Sequence, residues 1–267
     1  MTALLADLHI HTALSPCASR QMLPGNIVRA CRQRGLNMIA ICDHNSAANV
    51  AAVTEAAKRE TGPALKVIPG IEVTTREEVH VLGLLPTLEA AVSVSTAVLA
   101  SLPNGKSTSW GYSTQQLSNP VGSHPGCRQW IVDAEDRQTG AEPRVLAGAS
   151  SYSLEEAVFQ IRLHGGIAVA AHIDRRAFSV LGQLGFFPGT PQFSAAEISA
   201  AGAARGRREE RWLEAFRQHG LPLISGSDSH CLEEIGCSCT AFLVSEPCFA
   251  ELVLAIRGIG ARRCAIA

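Results

Sequence analysis

The chain of 267 residues carries 23 Lys or Arg against 24 Asp or Glu, a formal charge of −1, so it has no basic field for long nucleic acid and the sequence argues against that partner. Its 46% hydrophobic and 18% charged residues make an ordinary globular balance with enough apolar side chains for a sizeable core. No apolar run nears bilayer-spanning length, the first residues lack a signal-peptide pattern, and nine cysteines follow no regular framework, which predicts a soluble, cytoplasmic protein with reduced thiols and no membrane partner.

In chain order, the pattern predicts a strand over Leu4–His9 and a helix over Pro24–Arg34, with Pro in its first turn and Gly35 placed to end it. Met38–Cys42 reads as a second strand and Ser46–Glu60 as an alanine-rich helix. Lys66–Ile68 and Ile71–Thr75 read as a strand interrupted by a bend at Pro69 and Gly70. Val79–Leu85 follows as a strand and Leu88–Leu102 as a helix. In Ser153–Leu163, Ser153 can cap the helix, Glu156 completes a capping box, and Gly165 ends it. Strands over Ile167–Ala171, Glu197–Ser199, Leu221–Ser225 and Thr240–Val244, with helices over Arg205–Gln218 and Phe249–Arg257, complete the series. The alternation predicts an α/β fold with a mainly parallel sheet, open or closed into a barrel, whose working residues sit where strands end. The stretch 103–150, rich in Gly, Ser, Asn and Pro, reads as an insertion or lid within a single domain spanning 1–267.

The first strand ends in DLHIHTALSPC, residues 7 to 17. A period of two puts Asp7, His9 and His11 on one face and Leu8 and Ile10 on the other. Two neutral imidazoles so placed can each give a lone pair to a divalent ion. Further polar residues fall at later strand ends. ICDHN carries Asp43 and His44, PGIEVTT carries Glu72, EEVHVLG carries His80, VAAHIDRR carries His172, Arg175 and Arg176, and ISGSDSH carries Asp228 and His230. A lone strand-end histidine is usually a structural hydrogen-bonder. Six of them with two or three acids, gathered by a closed sheet, point to a metal site for zinc, manganese or iron rather than calcium or magnesium.

HxH, DHN, PGIE followed by EVH, AHID and SDSH, in that order from Asp7 to His230, resemble the motifs of the polymerase-and-histidinol-phosphatase (PHP) superfamily. Ser-Pro-Cys at 15 to 17 is similar to a branch of stand-alone bacterial phosphoesterases. The resemblance implies a distorted seven-stranded (β/α) barrel with an inserted loop, and two or three divalent metals at its carboxyl mouth. It places His9, His11, Glu72 and Asp228 around one ion, and Glu72, His80 and His172 around a second. A third would lie between His44, His230 and Cys17, a position where several relatives carry histidine or aspartate. Cys17 is then either a thiolate ligand or a plain buried thiol.

Such a site implies a metal-dependent phosphoesterase acting on a small phosphate monoester, a nucleotide among the candidates, by in-line attack of a metal-bridging hydroxide. Arg175 would neutralise the equatorial oxygens and Arg176 could assist. Asp43 would protonate the leaving group or orient a ligand histidine, and Glu197 is a candidate substrate contact. His164 and His219 precede glycines at helix ends and read as structural. His124 reads as a loop residue, CLEEIGCSC as reduced thiols, and RGRREER as a solvated helix start. Two other readings stay open: a nuclease acting on the ends of DNA or RNA strands, and a non-catalytic metal-binding scaffold, against which the intact ligand set argues.

Overall fold

The computed structural model describes residues 1–102, 129–206 and 220–267, without the side chains of 205 and 206. Eleven strands are described: β1 (Thr2–Ile10), β2 (Met38–Ile41), β3 (Lys66–Thr74), β4 (His80–Leu84), β5 (Trp130–Val132), β6 (Gln138–Ala141), β7 (Ile167–Ala170), β8 (Ala195–Ile198), β9 (Leu223–Ser225), β10 (Thr240–Val244) and β11 (Arg263–Ile266). The helices are α1 (Pro24–Gln33), α2 (Val50–Arg59), α3 (Leu88–Ser101), α4 (Leu154–Leu163), α5 (Val180–Leu184), α6 (Ala200–Gly206) and α7 (Phe249–Ile256). Local chemistry sets several boundaries. Ser153 and Glu156 form the reciprocal capping box of α4, and Pro24 opens α1.

Nine strands form one nearly closed, barrel-shaped sheet in the order β11-β10-β1-β2-β3-β4-β7-β8-β9. The resemblance implied seven; β10 pairs antiparallel with β1 and β11 antiparallel with β10, which raises the count. The sheet is also less parallel than expected. β1, β2 and β3 run parallel, as do β7, β8 and β9, but β4 is antiparallel to both β3 and β7. Reversal of β4 brings its first residue, His80, to the end of the barrel where the neighbouring strands finish. Closure comes from Thr240, whose hydroxyl donates to the Ser225 carbonyl (2.9 Å) and accepts from its N–H (2.8 Å), and from a parallel bridge between Ile10 and Ser229.

Two apolar layers hold the barrel. An inner cluster joins Leu8, Met38, Ile68, Leu82, Val169, Ile224 and Phe242, with Leu252 of α7. An outer one packs Ile39, Ile71, Val81 and Ala170 under residues of α1 to α4 such as Ile27, Val53, Val94 and Ile161. β1 changes sides between them. Its register to β2 slips by one residue between Asp7 and Ile10, so Leu8 lies in the inner cluster while Ile10 lies in the outer one. An extra residue in one strand inverts the alternation beyond it. The shared face expected for Asp7, His9 and His11 is therefore corrected: Asp7 turns away and accepts from Ser227 N–H (3.0 Å) and Gly236 N–H (2.8 Å).

The interruption expected at Pro69 and Gly70 is also absent. β3 is continuous, because Pro69 offers only its carbonyl, taken by Leu85 N–H (2.8 Å). Gly70 leaves room for its neighbours, since a Cβ there would lie 2.6 Å from Cys42 Sγ and 2.8 Å from the Ile41 carbonyl oxygen. Part of the predicted insertion forms the β5–β6 hairpin, anchored by Trp130 N–H on the Ala13 carbonyl (2.9 Å). Residues 103–128 with His124, and 207–219 with His219 and most of the predicted helix Arg205–Gln218, lie outside the described residues. Among those described, no helix is long and apolar enough to cross a membrane.

Two outcomes follow from the packing. Gly70→Ala should destabilise the fold by about 1–3 kcal/mol through overpacking, read as a lower urea midpoint at unchanged slope. Glu251 accepts two bonds from Arg262 (2.8 and 2.6 Å) and one from Ser245 N–H (2.8 Å). The Arg262 bonds, then that from Ser245, bring its pKa down to about 2 from an ordinary 4.5. A depressed carboxylate stabilises above its unfolded pKa and loses that contribution as pH falls through the folded one. Thermal stability should therefore drop between pH 4.5 and 2, and Glu251→Gln should flatten that part of the profile.

Candidate metal centre

At the end where β1, β3, β7 and β9 finish, side chains from β1, β3, β4 and the segments after β1, β2, β7 and β9 meet around one carboxylate. Glu72, on β3, has no solvent exposure. Its Oε1 lies 2.8 Å from His80 Nδ1, 3.2 Å from His172 Nε2 and 3.4 Å from His9 Nε2. Its Oε2 lies 2.9 Å from His44 Nδ1 and 3.4 Å from His11 Nε2. Asp228 closes the group, with Oδ1 2.9 Å from His11 Nε2 and 3.3 Å from His9 Nε2. Burial alone would push Glu72 upward, but His80, His9, His44 and His172 outweigh it and hold the carboxyl well below its usual range.

A layer of fixed partners sets which ring nitrogens face inward. His9 Nδ1 donates to Glu197 Oε2 (2.9 Å), and His230 Nδ1 donates to the Asp228 carbonyl (2.8 Å). Ser15 donates its hydroxyl to Asp43 Oδ1 (2.6 Å), so its oxygen accepts from His11 Nδ1 (2.9 Å) and from His44 N–H (3.2 Å). Thr12 holds Asp43 in place with its N–H and its hydroxyl, both at 2.7 Å. All three imidazoles thereby turn Nε2 toward the centre.

That arrangement leaves His9 Nε2 and His11 Nε2 facing each other at 3.1 Å. Two lone pairs that close repel unless a positive charge lies beside both. Burial disfavours charge on His9, yet Glu197, Asp228 and Glu72 outweigh it and raise its pKa well above the usual value. Burial, then the His230 ring, pushes His11 well below it. Burial likewise brings His80 down to about 4 despite Glu72. Meanwhile His44 Nδ1, His80 Nδ1 and Glu72 Oε2 are buried without a hydrogen bond of acceptable direction, although they lie close to one another. Divalent cations would satisfy all of these atoms. Among the described residues, donor atoms within 4.8 Å of one another fall into three sets: His9, His11, Glu72 and Asp228; His44, Glu72 and His80; and His11, His44 and His230. The mixture of imidazole and carboxylate suits a borderline transition metal. Strain accompanies the cluster, since His172 (φ 25°) and Asp228 (φ 50°) hold left-handed backbone that side chains other than glycine seldom adopt.

The remaining expected residues divide. Glu197, expected to contact substrate, is only 1% exposed, and its carboxylate is engaged by His9 Nδ1 and by His172 N–H (3.2 Å). Its position is under the centre, where it orients a ligand ring. Asp43 is also buried and acts through Ser15, so the leaving-group role has no support in its placement. Arg175 reaches the centre, with Nη1 2.5 Å from Asp228 Oδ2 and its side chain 44% exposed, whereas Arg176 is exposed and makes no ion pair among the described residues. Cys17 is exposed at the rim. Desolvation by surrounding groups pushes its thiol up, but His230 and His44 outweigh it and bring the pKa down to about 6. In return, Cys17 outweighs the burial of His230 and raises that ring to about 9. Sequence reasoning missed Ser15 and Thr12, whose only signal is a hydroxyl residue one and four places after His11. Asn45 was missed too; it accepts from Thr74 N–H (2.9 Å) and donates to the Leu146 and Gly148 carbonyls (both 2.8 Å).

Ser15→Ala would free His11 Nδ1 and loosen Asp43. Metal affinity, measured by chelator competition, should fall by about 10–100-fold, as for other supporting residues of metal sites. Glu197→Gln keeps an acceptor for His9 and should lose less than Glu197→Leu.

Comparison with known proteins agrees with this geometry. Residues 7–179 match the PHP domain model, and 206–258 match a PHP-associated one. An 85-residue stretch, 31% of this chain, is 34% identical to the 5'-3' exoribonuclease Rnm of Salmonella typhimurium and covers 28% of that protein, so the match spans under a third of the relative's length. The lesion-specific endonuclease PfuEndoQ of Pyrococcus furiosus aligns with a TM-score of 0.63 at 18% identity, over 98% of this chain and 58% of that one. A Bifidobacterium adolescentis protein described as a metal-dependent phosphoesterase aligns with a TM-score of 0.52 at 23% identity, over 84% of this chain and 87% of its own. At these identities the structural likeness shows the fold alone. With the model matching from Asp7 through α4 to Ser179, the chain belongs to the PHP domain family.

Proposed function

We propose that this centre hydrolyses small phosphate monoesters, nucleotides among them. The observation that carries the reading is the position of Arg175: an exposed guanidinium sits directly on Asp228 at the lip of the histidine-carboxylate cluster. A fork of that shape pairs with two phosphate oxygens at once. His9, His11, Glu72 and Asp228 would hold one cation, His44, Glu72 and His80 a second with His172 beside them, and His11, His44 and His230 a third with Cys17 at the rim. Such ions supply Lewis-acid charge to a phosphoryl group and lower the pKa of water. The protein's part is to keep the inward nitrogens free of protons through Glu197 and Ser15, and to present Arg175 to the ester.

A second reading, removal of nucleotides from the end of a strand, is favoured by the likeness to an exoribonuclease and an endonuclease. Arg20, whose guanidinium lies 5.3 Å from the Trp130 ring centroid near this rim, is compatible with it.

Phosphate release should be followed from nucleoside monophosphates, sugar phosphates and 5'-phosphorylated oligonucleotides. Turnover of mononucleotides that changes little with salt is the expected result. Preference for oligonucleotides, with affinity falling steeply as salt rises, would transfer the assignment to the second reading. Asp228→Ala and His80→Ala should each reduce hydrolysis to background in either case, and full activity in both would refute the centre's role.

A further inference from the structure

At the opposite end of the barrel, where β7, β8 and β9 begin, three arginines face one hollow of about 640 Å3. Arg162 lies in the last turn of α4, Arg257 caps α7, and Arg263 opens β11. None of the three guanidinium groups has an ion pair or a hydrogen-bond partner among the described residues, and the described lining holds no Asp or Glu. Several exposed arginines elsewhere are paired, among them Arg29 with Glu60, Arg59 with Glu55, Arg137 with Asp133 and Arg144 with Glu142. Three cations around one concavity repel each other, and a ligand with two or more negative charges removes that repulsion.

The hollow also has an apolar extension. Gln192, Phe193 and Leu221 are shared with an adjoining groove of about 390 Å3 walled by Phe187 and Pro188. The rings of Phe187 and Phe193 lie 5.7 Å apart, tilted by 56°. Gln192 and Ser194, on either side of Phe193, add neutral hydrogen-bonding groups between the charged and apolar halves. We propose that this pole binds a nucleoside di- or triphosphate, its phosphates on Arg162, Arg257 and Arg263 and its base against Phe187 and Phe193. Each of the two volumes falls within the usual range for small-molecule sites. The site is separate from the metal centre, because its residues lie at the starts of the strands whose ends carry His172, Glu197 and Asp228.

The test is calorimetric titration of the full metal-loaded chain with a non-hydrolysable ATP analogue and with inorganic tripolyphosphate. It is run on the wild type, on Asp228→Ala and on the double variant Arg162→Gln/Arg263→Gln. Binding of the analogue should survive Asp228→Ala and weaken at least about tenfold in the double variant. Tripolyphosphate should bind more weakly than the analogue. The double variant should keep the wild-type rate of ester hydrolysis, which separates this result from any failure of the metal centre. Should its melting profile change, the single Arg257→Gln exchange takes its place with the same direction of effect. Loss of binding in Asp228→Ala but not in the arginine variants, or no binding to the wild type, overturns the site. Tripolyphosphate binding as tightly as the analogue overturns the nucleoside assignment.

Discussion

Glu72 is a fully buried carboxylate with five imidazoles around its two oxygens, and the architecture of the strand ends follows from that. An ionised acid removed from water is tolerated only when opposite charge or strong donors surround it. The surrounding rings come from β1, β4 and the segments after β2 and β7, so every one of those elements must arrive at the same place. Continuity of β3 through Pro69, the close approach permitted by Gly70, and reversal of β4 are the backbone conditions that let them do so. Left-handed backbone at His172 and Asp228 is part of the same constraint. Such conformations persist where the surrounding structure over-determines them.

Beneath the rings lies a second set of residues that decides protonation rather than position alone. Glu197, Ser15 and the Asp228 carbonyl each take the outward nitrogen of one histidine. Ser15 is the most connected of these, because one hydroxyl serves a ring from β1, a backbone N–H after β2 and the Asp43 carboxylate. A change there would disturb all three donor sets, since each contains His11 or His44. Asp43 and Glu197 thus act on the cluster through other residues, Ser15 and His9, and both are buried.

Much of this was legible in the sequence, for identifiable reasons. His9, His44, Glu72, His80, His172 and Asp228 stand in short strings at the ends of apolar runs, and residue type with position was enough to group them. Helix α4 announced itself through Ser153 and Glu156 because a capping box is a purely local contact. What stayed hidden depends on pairing between strands. The slip between Asp7 and Ile10 arises from register with β2, and a strict period of two cannot reveal it. The direction of β4 follows from its neighbours, since VHVLGL reads alike in either sense. The hairpin β5–β6 and β11 are short and half exposed, with little apolar periodicity to mark them. Glu197 resembled a mouth residue because burial is a property of the closed barrel.

The relatives differ in how far they extend: this chain covers 58% of PfuEndoQ but 87% of the Bifidobacterium adolescentis protein. The centre is common ground, whereas choice of substrate rests on the rim. The central claim is that Glu72 is shared, so that several cations depend on one side chain. Metal content per chain, measured by elemental analysis on wild type and Glu72→Gln purified alike, addresses it directly. The account predicts at least two ions in the wild type and the loss of more than one in the variant. Loss of a single ion or none, with the variant folded, would contradict it.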